Sequence, residues 1–542
     1  MSERGSMLAP FKHNTFKLLW MATLVSNLGG LVQSVGAGWM MTTLSDSHNM
    51  VALVQASTTL PIMLFSLAAG ALADNFDRRI VMLIAQIGLM LVSVTLAVMA
   101  YLGMLTPWLL LSFTFLIGCG TALFNPSWQA SMGDIVPRED LAGAVTLNSM
   151  GFNMMRSVGP AVGGTIVALL GAAAAFTVNA FSYIPLIYAL FRWKPNRPDS
   201  NLPRESFFSA MLAGLRYVSL SPNLTTVLFR GFLFGFGAVV ILALLPSIAR
   251  EYVGGGALVY GTLLGCFGVG AIGGGFLNAR VRERFSNEVI VRAACVGFAI
   301  SCVALGFSRD VWLSHAMLLP AGACWVLALS LFNVSIQLST PRWVVGRALS
   351  LYQTATFGGM AAGSWAWGYV ADLSEPQWAM LLAGGVVLAC GLVGLRLPLP
   401  EFSSRDLNPL NAFNEPIIKL ELRPRSGPIM IMIDYQIADE DIPQFLSLMA
   451  ERRRIRIRDG ARQWAILRDL EKPELWVESY HVPTWVDYVR HNMRRTKADA
   501  ANIDGLRALH RGEQPPMVHR MIERQTISPD DNIPLRETPE VH

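Results

Sequence analysis

The sequence predicts an all-α membrane protein with twelve transmembrane helices in two pseudo-symmetric six-helix halves, followed by a cytoplasmic α+β (ferredoxin-like) domain. Hydrophobic residues make up 53% of the 542 residues and charged residues only 15%, which is typical of membrane proteins. Residues 417–542 nevertheless hold 20 of the 43 Lys and Arg and 20 of the 38 Asp and Glu, as a soluble domain would. The net charge of +5 is too small to indicate nucleic acid as a partner.

Twelve apolar stretches before residue 398 are long enough to cross a bilayer. About 20 apolar residues in a helix span the roughly 30 Å hydrocarbon core, where every backbone polar group needs a partner. The predicted spans are 16–44, 51–73, 80–101, 107–129, 142–170, 172–191, 224–248, 257–278, 288–307, 311–338, 346–371 and 377–397. The first stretch is too long for a signal-peptide core, so it is predicted as the first span.

The charges of the connecting loops predict the orientation. Lys and Arg near span ends are retained in the cytoplasm. Loops after even-numbered spans contain many of them, such as Arg78, Arg79 and Arg138, whereas the opposite loops offer Arg250 and Arg309, each followed by an acid. Both termini are therefore predicted to be cytoplasmic, with the spans in the cytoplasmic (inner) membrane.

A repeat with a constant shift of 204 residues divides the spans into two halves. The matched pairs are Gly70 and Gly274, Asp74 and Asn278, Arg78 and Arg282, and Pro137 and Pro341. The predicted parts are six-helix halves at 12–191 and 223–397, linkers at 192–222 and 398–416, an α+β domain at 417–525 and a disordered tail at 526–542. Parallel halves of this kind enclose a substrate site near the membrane midplane in a large class of transporters.

Two motifs carry a resemblance to a known family. Span two ends in Gly70-Ala-Leu-Ala-Asp74-Asn75-Phe76-Asp77-Arg78-Arg79, which is similar to the Gly-x-x-x-Asp-Arg-x-Gly-Arg-Arg signature of the major facilitator superfamily. Asn75 and Asp77 depart from it. Span five contains Gly159-Pro160-Ala161-Val162-Gly163-Gly164, which resembles an element of the drug-exporting members. The block from Phe124 to Ser149 is similar to the branch with the enterobactin exporter and macrolide-efflux-like proteins, and the whole likeness covers residues 12–400.

The resemblance implies a secondary active transporter, not an enzyme, that exports a small siderophore-like or drug-like molecule by alternating access. It also implies ion-gradient coupling, typically proton antiport, and no cofactor. Yet no Asp or Glu lies deep inside a predicted span, so the buried carboxylate usual for proton coupling is missing. A nutrient importer of the same fold and a membrane-tethered oxidoreductase acting through the C-terminal domain are the alternatives. The sequence has no Gly-x-x-x-x-Gly-Lys-Ser/Thr phosphate loop, so ATP-driven pumping is not indicated.

The resemblance places a gate at the cytoplasmic ends of spans two and eleven. There the carboxylate of Asp74 can pair with Arg78 and accept hydrogen bonds from the N-terminus of span eleven. In span five, proline removes a backbone hydrogen bond and glycine permits close helix contact. The predicted gating residues are Gly70, Asp74, Arg78, Arg79, Asp134, Gly159 and Pro160.

Two arginines lie more than one turn inside predicted spans, Arg156 in the fifth and Arg230 in the seventh. Burying a guanidinium in the membrane costs on the order of 3 kcal/mol on insertion scales, so such a residue usually faces a watery cavity or a partner. Each is predicted to contact the substrate or its counter-charge, which favours an anionic or catechol-like substrate, although Arg230 is close enough to the cytoplasmic end to snorkel. Polar side chains that are equally open to a helix-packing role complete the predicted substrate-binding set, namely Asn27, Gln33, Asn153, Asn333, Gln337 and Gln353.

The C-terminal residues predict strands and helices in the order β-α-β-β-α-β. This order resembles an antibiotic-biosynthesis-monooxygenase-like α/β domain, which implies a homodimer through this domain. Trp464, Trp476 and Tyr480 are predicted as sheet core or dimer contacts, and His491 as a surface residue. The run from Arg452 to Arg458 is predicted either to meet anionic membrane lipid or to form a solvated helix end. No metal site is indicated, since no cysteine pair has ligand spacing.

Overall fold

The computed structural model describes residues 8–137, 140–194, 207–341, 343–399, 407, 410, 413, 415–420, 422–423 and 425–523. The chain forms two compact units. The first, called the helical unit here, comprises Met1–Asp199, Thr225–Ile336 and Leu349–Glu401, and the second, the C-terminal unit, comprises Ser200–Leu224, Gln337–Ala348 and Phe402–His542. Parts of the predicted linkers (195–206 and 400–406, among others) and the predicted tail at 526–542 lie outside the described residues.

Long helices make up the helical unit. The first set is α1 (Asn14–Leu44), α2 (His48–Asn75), α3 (Arg78–Tyr101), α4 (Pro107–Ile135), α5 (Leu141–Leu170) and α6 (Ala172–Arg192). After the short helix α7 (Phe207–Ser219), the second set is α8 (Pro222–Ser247), α9 (Ala257–Arg282), α10 (Asn287–Phe307), α11 (Val311–Leu338), α12 (Val345–Leu373) and α13 (Pro376–Val393). Helix starts are capped by Ser47, Asp77, Thr106 and Ser286, whose side chains accept backbone N–H groups of the first turn.

Ten helices in the described part of the chain are long and apolar enough to cross a membrane. Helices α5 and α12 have 30 and 29 residues but are not among these ten. A mostly helical, multi-pass membrane protein is thus confirmed, whereas the number of twelve spans stays a prediction.

The helix starts correct the predicted repeat. Helices α11, α12 and α13 begin at residues 311, 345 and 376, each 204 residues after α4, α5 and α6, but α8, α9 and α10 begin 208 or 209 residues after α1, α2 and α3. The shift changes because α10 and its following loop (287–310) are five residues shorter than α3 and its loop (78–106). Arg78 is the first residue of α3 and Arg282 the last of α9, so their predicted match is wrong. The two N-caps Asp77 and Ser286 correspond instead.

An antiparallel sheet forms the centre of the C-terminal domain. Its strands β1 (Ile429–Gln436), β2 (Arg462–Arg468), β3 (Leu475–Val482) and β4 (Val518–Ile522) lie in the order β2-β3-β1-β4. Helices α14 (Ile442–Arg458), α15 (Trp485–Met493) and α16 (Lys497–Leu509) share a core with the sheet that includes Ile431, Phe445, Tyr480 and Leu506. The elements follow the predicted order, with two helices before the last strand. A monooxygenase-like domain and a homodimer stay predictions.

Helix α7 and the segment 337–348 pack with this domain inside the C-terminal unit. Tyr217 of α7 and Trp343 meet edge to face, with ring centroids 5.6 Å apart. The guanidinium carbon of Arg458 lies 5.4 Å from the centroid of the Tyr217 ring, and that of Arg494 lies 4.1 Å from the centroid of the Trp343 ring. Such cation–π pairs each contribute roughly 0.5–2 kcal/mol. The amphipathic segment predicted as a linker therefore has a packed partner.

Candidate functional site

The two helix sets of the helical unit meet along two antiparallel pairs, α2 with α12 and α5 with α9. In the first pair, the hydroxyls of Ser66 and Thr354 are 2.8 Å apart. Nearer the start of α2, a Cβ added to Gly368 would lie 2.8 Å from the Cα of Asn49. Numbering rises along α2 while it falls along α12, as expected for antiparallel neighbours.

Small residues let α5 and α9 approach backbone to backbone. A Cβ on Gly261 would lie 2.5 Å from the Cα of Gly164, and a Cβ on Gly268 would lie 2.6 Å from the Cα of Ser157. Side chains at these positions would force the helices apart, because real Cβ atoms do not approach other atoms so closely. This contact joins the first helix set to the second over about two turns.

The predicted Gly-Pro element lies within this part of α5. Pro160 has no N–H, so the carbonyl of Arg156 one turn earlier loses its usual intrahelical donor. A Cβ on Gly159 would lie 2.8 Å from the Cβ of Leu31, so Gly159 permits a close contact with α1. The positions suit a helix that moves against its neighbours, and the gating role of both residues stays a prediction.

The guanidinium of Arg156 lies between the two helix sets. Its central carbon is 6.0 Å from the ring centroid of Trp325 in α11. The Trp325 ring contacts those of Phe267 and Phe298, at centroid distances of 5.8 and 6.3 Å. Among the side chains that the structure describes, none forms an ion pair or hydrogen bond with this guanidinium. A half-buried cation without a protein counter-charge is suited to hold an anionic group beside an aromatic surface.

Arg230, in contrast, has a protein partner. Its fully buried guanidinium donates from Nη1 to Glu288 Oε2 at 2.5 Å and from Nη2 to Glu288 Oε1 at 3.1 Å. Glu288 Oε2 also accepts the backbone N–H of Leu399 at 2.9 Å. This bidentate pair ties α8 to α10 and to the chain after α13. Arg230 therefore has a structural partner, Glu288, which the sequence reasoning missed, and a substrate contact of Arg230 stays a prediction.

The predicted substrate residue Gln33 also belongs to a packing network. Its Oε1 accepts hydrogen bonds from the Ser93 hydroxyl at 3.0 Å and from the Asn179 amide. Asn179 also donates to the Tyr183 hydroxyl at 3.1 Å. All four side chains are buried, so the network joins α1, α3 and α6 and gives Gln33 a helix-packing role, while its substrate role stays a prediction.

The other predicted polar residues differ in their exposure. Asn27, Asn333 and Gln353 are half-buried and Gln337 is exposed. The side chain of Asn153 lies outside the described residues. A substrate role for these five residues stays a prediction.

Both predicted gating arginines, Arg78 and Arg79, form contacts within the first helix set. Arg78 donates from Nη1 to Asp134 Oδ2 at 3.0 Å. Arg79 donates to the carbonyls of Leu190 and Phe191, each at 2.8 Å, and so caps the C-terminus of α6. The structure thus joins α3 to α4 and α6 through these residues.

The remaining part of the predicted gate is only partly visible. A Cβ on Gly70 would lie 3.4 Å from the Ser350 hydroxyl of α12, so α2 reaches the second helix set here. The side chain of Asp74 and all of Arg138 and Arg342 lie outside the described residues. The predicted contact of Asp74 with the start of span eleven stays a prediction.

A charged contact between the helix sets lies at the opposite end of α2. Asp372, near the end of α12, accepts the Ser47 hydroxyl and the backbone N–H of His48, each at 2.6 Å, and the N–H of Asn49 at 3.3 Å. The carboxylate therefore occupies the positive N-terminus of α2. His48 Nε2 is also 3.6 Å from Glu251 Oε2, beyond the end of α8. Sequence reasoning missed this contact, although Ser47 followed by an apolar run is an N-cap signal.

Two helix sets that contact each other at both ends of α2, with a cation at their common interface, have the architecture expected of a membrane transporter. The chain belongs to the transmembrane secretion effector family of the major facilitator transporters, whose model matches residues 5–526. The multidrug efflux pump Tap of Mycolicibacterium fortuitum is 22% identical over 397 residues, or 71% of this chain and 96% of the relative. The staphyloferrin A transporter of Staphylococcus aureus is 25% identical over 272 residues, or 44% and 68%.

A solved structure shares the fold. A bacterial homolog of the human lysosomal transporter Spinster, in an inward-facing and occupied conformation, has a TM-score of 0.57 and 14% identity, over 70% of this chain and 96% of that chain. The family and the relatives are transporters and not enzymes, which confirms the predicted class.

Proposed function

We propose that this protein is a secondary active transporter that exports a small organic anion, siderophore-like or drug-like, by alternating access between the two helix sets. The observation that carries the proposal is the guanidinium of Arg156, which lies beside Trp325 at the interface of the sets. An anionic substrate supplies the counter-charge that the described part of the chain does not.

The end contacts support alternating access. Asp372 joins the sets at one end of α2, and Gly70 and Ser66 contact α12 nearer the other end. Binding a substrate between the sets changes the relative free energies of the states that these contacts stabilise, which is the requirement for a ligand-driven transition. The energy source in the proposal is an ion gradient.

Outward direction has one support, the relative that is named a multidrug efflux pump. Another relative is named a staphyloferrin A transporter, which suggests a siderophore as the substrate. A siderophore of the staphyloferrin A type, which offers carboxylates, is therefore the first compound to test.

The test measures uptake into inverted membrane vesicles, with and without a pH gradient. Wild-type vesicles are expected to accumulate staphyloferrin A, whereas right-side-out vesicles are not. Arg156→Gln should lower the initial rate at least tenfold, because a charge-assisted contact contributes roughly 1.5–3 kcal/mol. Arg156→Lys should retain an intermediate rate.

The matched control is Arg284→Gln, which changes an exposed arginine in the loop after α9. Its uptake and membrane level should equal those of the wild type. Equal rates for Arg156→Gln and the wild type, at equal membrane levels, would remove the main support for the proposed site. Accumulation only in right-side-out vesicles would reverse the proposed direction.

A further inference from the structure

The C-terminal domain contains a cavity of about 330 Å³ whose described lining is strongly cationic. Five arginines line it, namely Arg452, Arg456, Arg495, Arg507 and Arg520. Three tyrosines and several aliphatic side chains complete the walls, and no carboxylate is among the lining residues that the structure describes. The volume is within the range of small-molecule sites in proteins, about 300–1,000 Å³.

One buried carboxylate serves two of these arginines. Glu478 on β3 is fully buried, with Oε1 3.0 Å from Arg456 Nε and Oε2 3.5 Å from Arg452 Nε. Burial alone would raise the pKa of Glu478, but Arg456 and Arg452 outweigh it and lower the pKa to about 2. Glu478 is therefore ionised at neutral pH, and the two guanidinia together exceed its charge by one.

These positions correct the prediction for the arginine run. Arg452 and Arg456 are 5% and 1% exposed and point into the domain, one helical turn apart on α14. These two arginines are therefore not at the surface, where the prediction placed the whole run, whereas Arg453 and Arg454 are exposed. The run is thus divided between the core and the surface of the domain.

Arg456 retains an unused donor. Its Nη1 lies 2.9 Å from Nε2 of His491, but its Nη2 is buried without a hydrogen-bond partner. His491 is buried, not on the surface as predicted. Burial, together with Arg456 and Arg495, lowers the pKa of His491 well below its usual value, so the neutral imidazole accepts this bond. A buried guanidinium N–H without a partner is costly, unless a ligand satisfies it.

Arg495 adds a further charge beside Arg456. Among the described residues its guanidinium has no acidic partner. Burial and then the neighbouring charge of Arg456 lower the pKa of Arg495 to about 10, so it remains charged at neutral pH. Five like charges gathered at one cavity, with Glu478 as a counter-ion for two of them and no carboxylate among the described lining residues, indicate a site prepared for an anion.

We propose that this cavity binds a small organic anion, whose carboxylate or phosphate group is held by Arg456 and Arg495 and whose apolar part packs against Tyr480 and Leu506. Planar guanidinium groups bind such oxyanions through paired, charge-assisted hydrogen bonds. The ring of Tyr480 lies with its centroid 4.3 Å from the guanidinium carbon of Arg456, so the aromatic surface is adjacent to the charge. A lipid headgroup would offer the same oxyanion chemistry as a free metabolite.

The experiment uses the full-length protein in phosphatidylcholine nanodiscs and needs no transport. Hydrogen exchange of peptides from α14 and α15 is followed during titration with salicylate, inorganic phosphate and the neutral analogue salicylamide, at constant ionic strength. Saturable protection by salicylate or phosphate, absent with salicylamide, is expected. Protection without added ligand in phosphatidylglycerol nanodiscs would identify the anion as a lipid headgroup. Absence of saturable protection by any anion, or equal protection by salicylamide, would overturn the proposal.

Arg495→Gln is the decisive variant, because it removes a charge that the described fold does not use. Its affinity for the anion should fall about tenfold or more, as expected for a lost charge-assisted pair. Its exchange without ligand should stay as slow as in the wild type or become slower, because a repelling charge is gone. Arg495→Lys should bind with intermediate affinity, and the exposed control Arg453→Gln should bind like the wild type. Wild-type affinity in Arg495→Gln would refute the site.

Discussion

Replacing Asp372 with Asn should weaken the contact between the two helix sets at the start of α2. The amide keeps the shape and one acceptor oxygen, but it removes the charge that faces the helix N-terminus. A carboxylate at an exposed helix N-terminus contributes about 0.3–1 kcal/mol, and loss of charge from its hydrogen bonds adds to this. We therefore expect Asp372→Asn to destabilise the closed state at this end by about 1 kcal/mol. This change raises the ratio of open to closed molecules about fivefold.

Pulsed electron resonance distances measure this ratio. Spin labels at Asp46→Cys and Glu375→Cys, both exposed positions flanking the contact, are introduced after replacement of the six native cysteines. The fraction of molecules with the longer distance between the two spin labels should be larger in the Asp372→Asn variant. Asp310→Asn is the matched control, because Asp310 caps the start of α11 through the N–H of Leu313 within the second set. An unchanged distribution in Asp372→Asn, or an equal change in Asp310→Asn, would refute the reasoning.

Two further predictions concern close packing and buried charge. Gly261→Val should abolish transport while the protein still reaches the membrane, because its side chain would collide with Gly164 and overpacking costs about 1–3 kcal/mol. Glu478→Gln should destabilise the C-terminal domain by about 3–5 kcal/mol, because Arg452 and Arg456 lose their partner, as hydrogen exchange of the full chain would show. In the wild type, the lowered pKa of Glu478 means that this stabilisation is present above about pH 4 and is lost as the pH falls towards 2.

Both predictions have controls on the same elements or nearby. Gly273→Val places a side chain on α9 where a Cβ meets no atom within 4 Å among the described residues, so transport should persist. Glu474→Gln changes an exposed carboxylate before β3 and should leave exchange unchanged. Transport by Gly261→Val at the wild-type rate, or a stable C-terminal domain in Glu478→Gln, would contradict the packing and charge arguments.

The sequence predicted most helices because apolar length is a local property. A stretch such as 311–338 needs no knowledge of its neighbours to be identified, and α11 has these same bounds. The predicted shift of 204 residues is wrong for the first three helices of each set, because α10 and its following loop are shorter than α3 and its loop. The glycines near the end of α9 also match the first half at more than one shift, which concealed the difference. Periodicity within one segment does not report the length of another.

Helical spacing held a signal that the sequence reasoning did not use. On α14 the buried residues Phe445, Met449, Arg452 and Arg456 follow each other at intervals of four, three and four. This is the period of a core-facing stripe, so two arginines on it indicate buried, partnered guanidinia. The identity of their partner Glu478 could not be predicted, because it depends on how β3 packs against the helix.

The contrast between Arg156 and Arg230 separates structure from function inside the helical unit. Desolvation in a membrane segment costs each guanidinium several kcal/mol, and a counter-charge can offset this cost. For Arg230 the ion pair with Glu288 offsets the desolvation cost in the folded protein, so its charge is neutralised before any ligand binds. Arg156 has no such partner among the described residues, and it lies where the two helix sets meet. In the proposed function, an anion that enters between the sets compensates this charge, and substrate binding is thereby coupled to the arrangement of the sets.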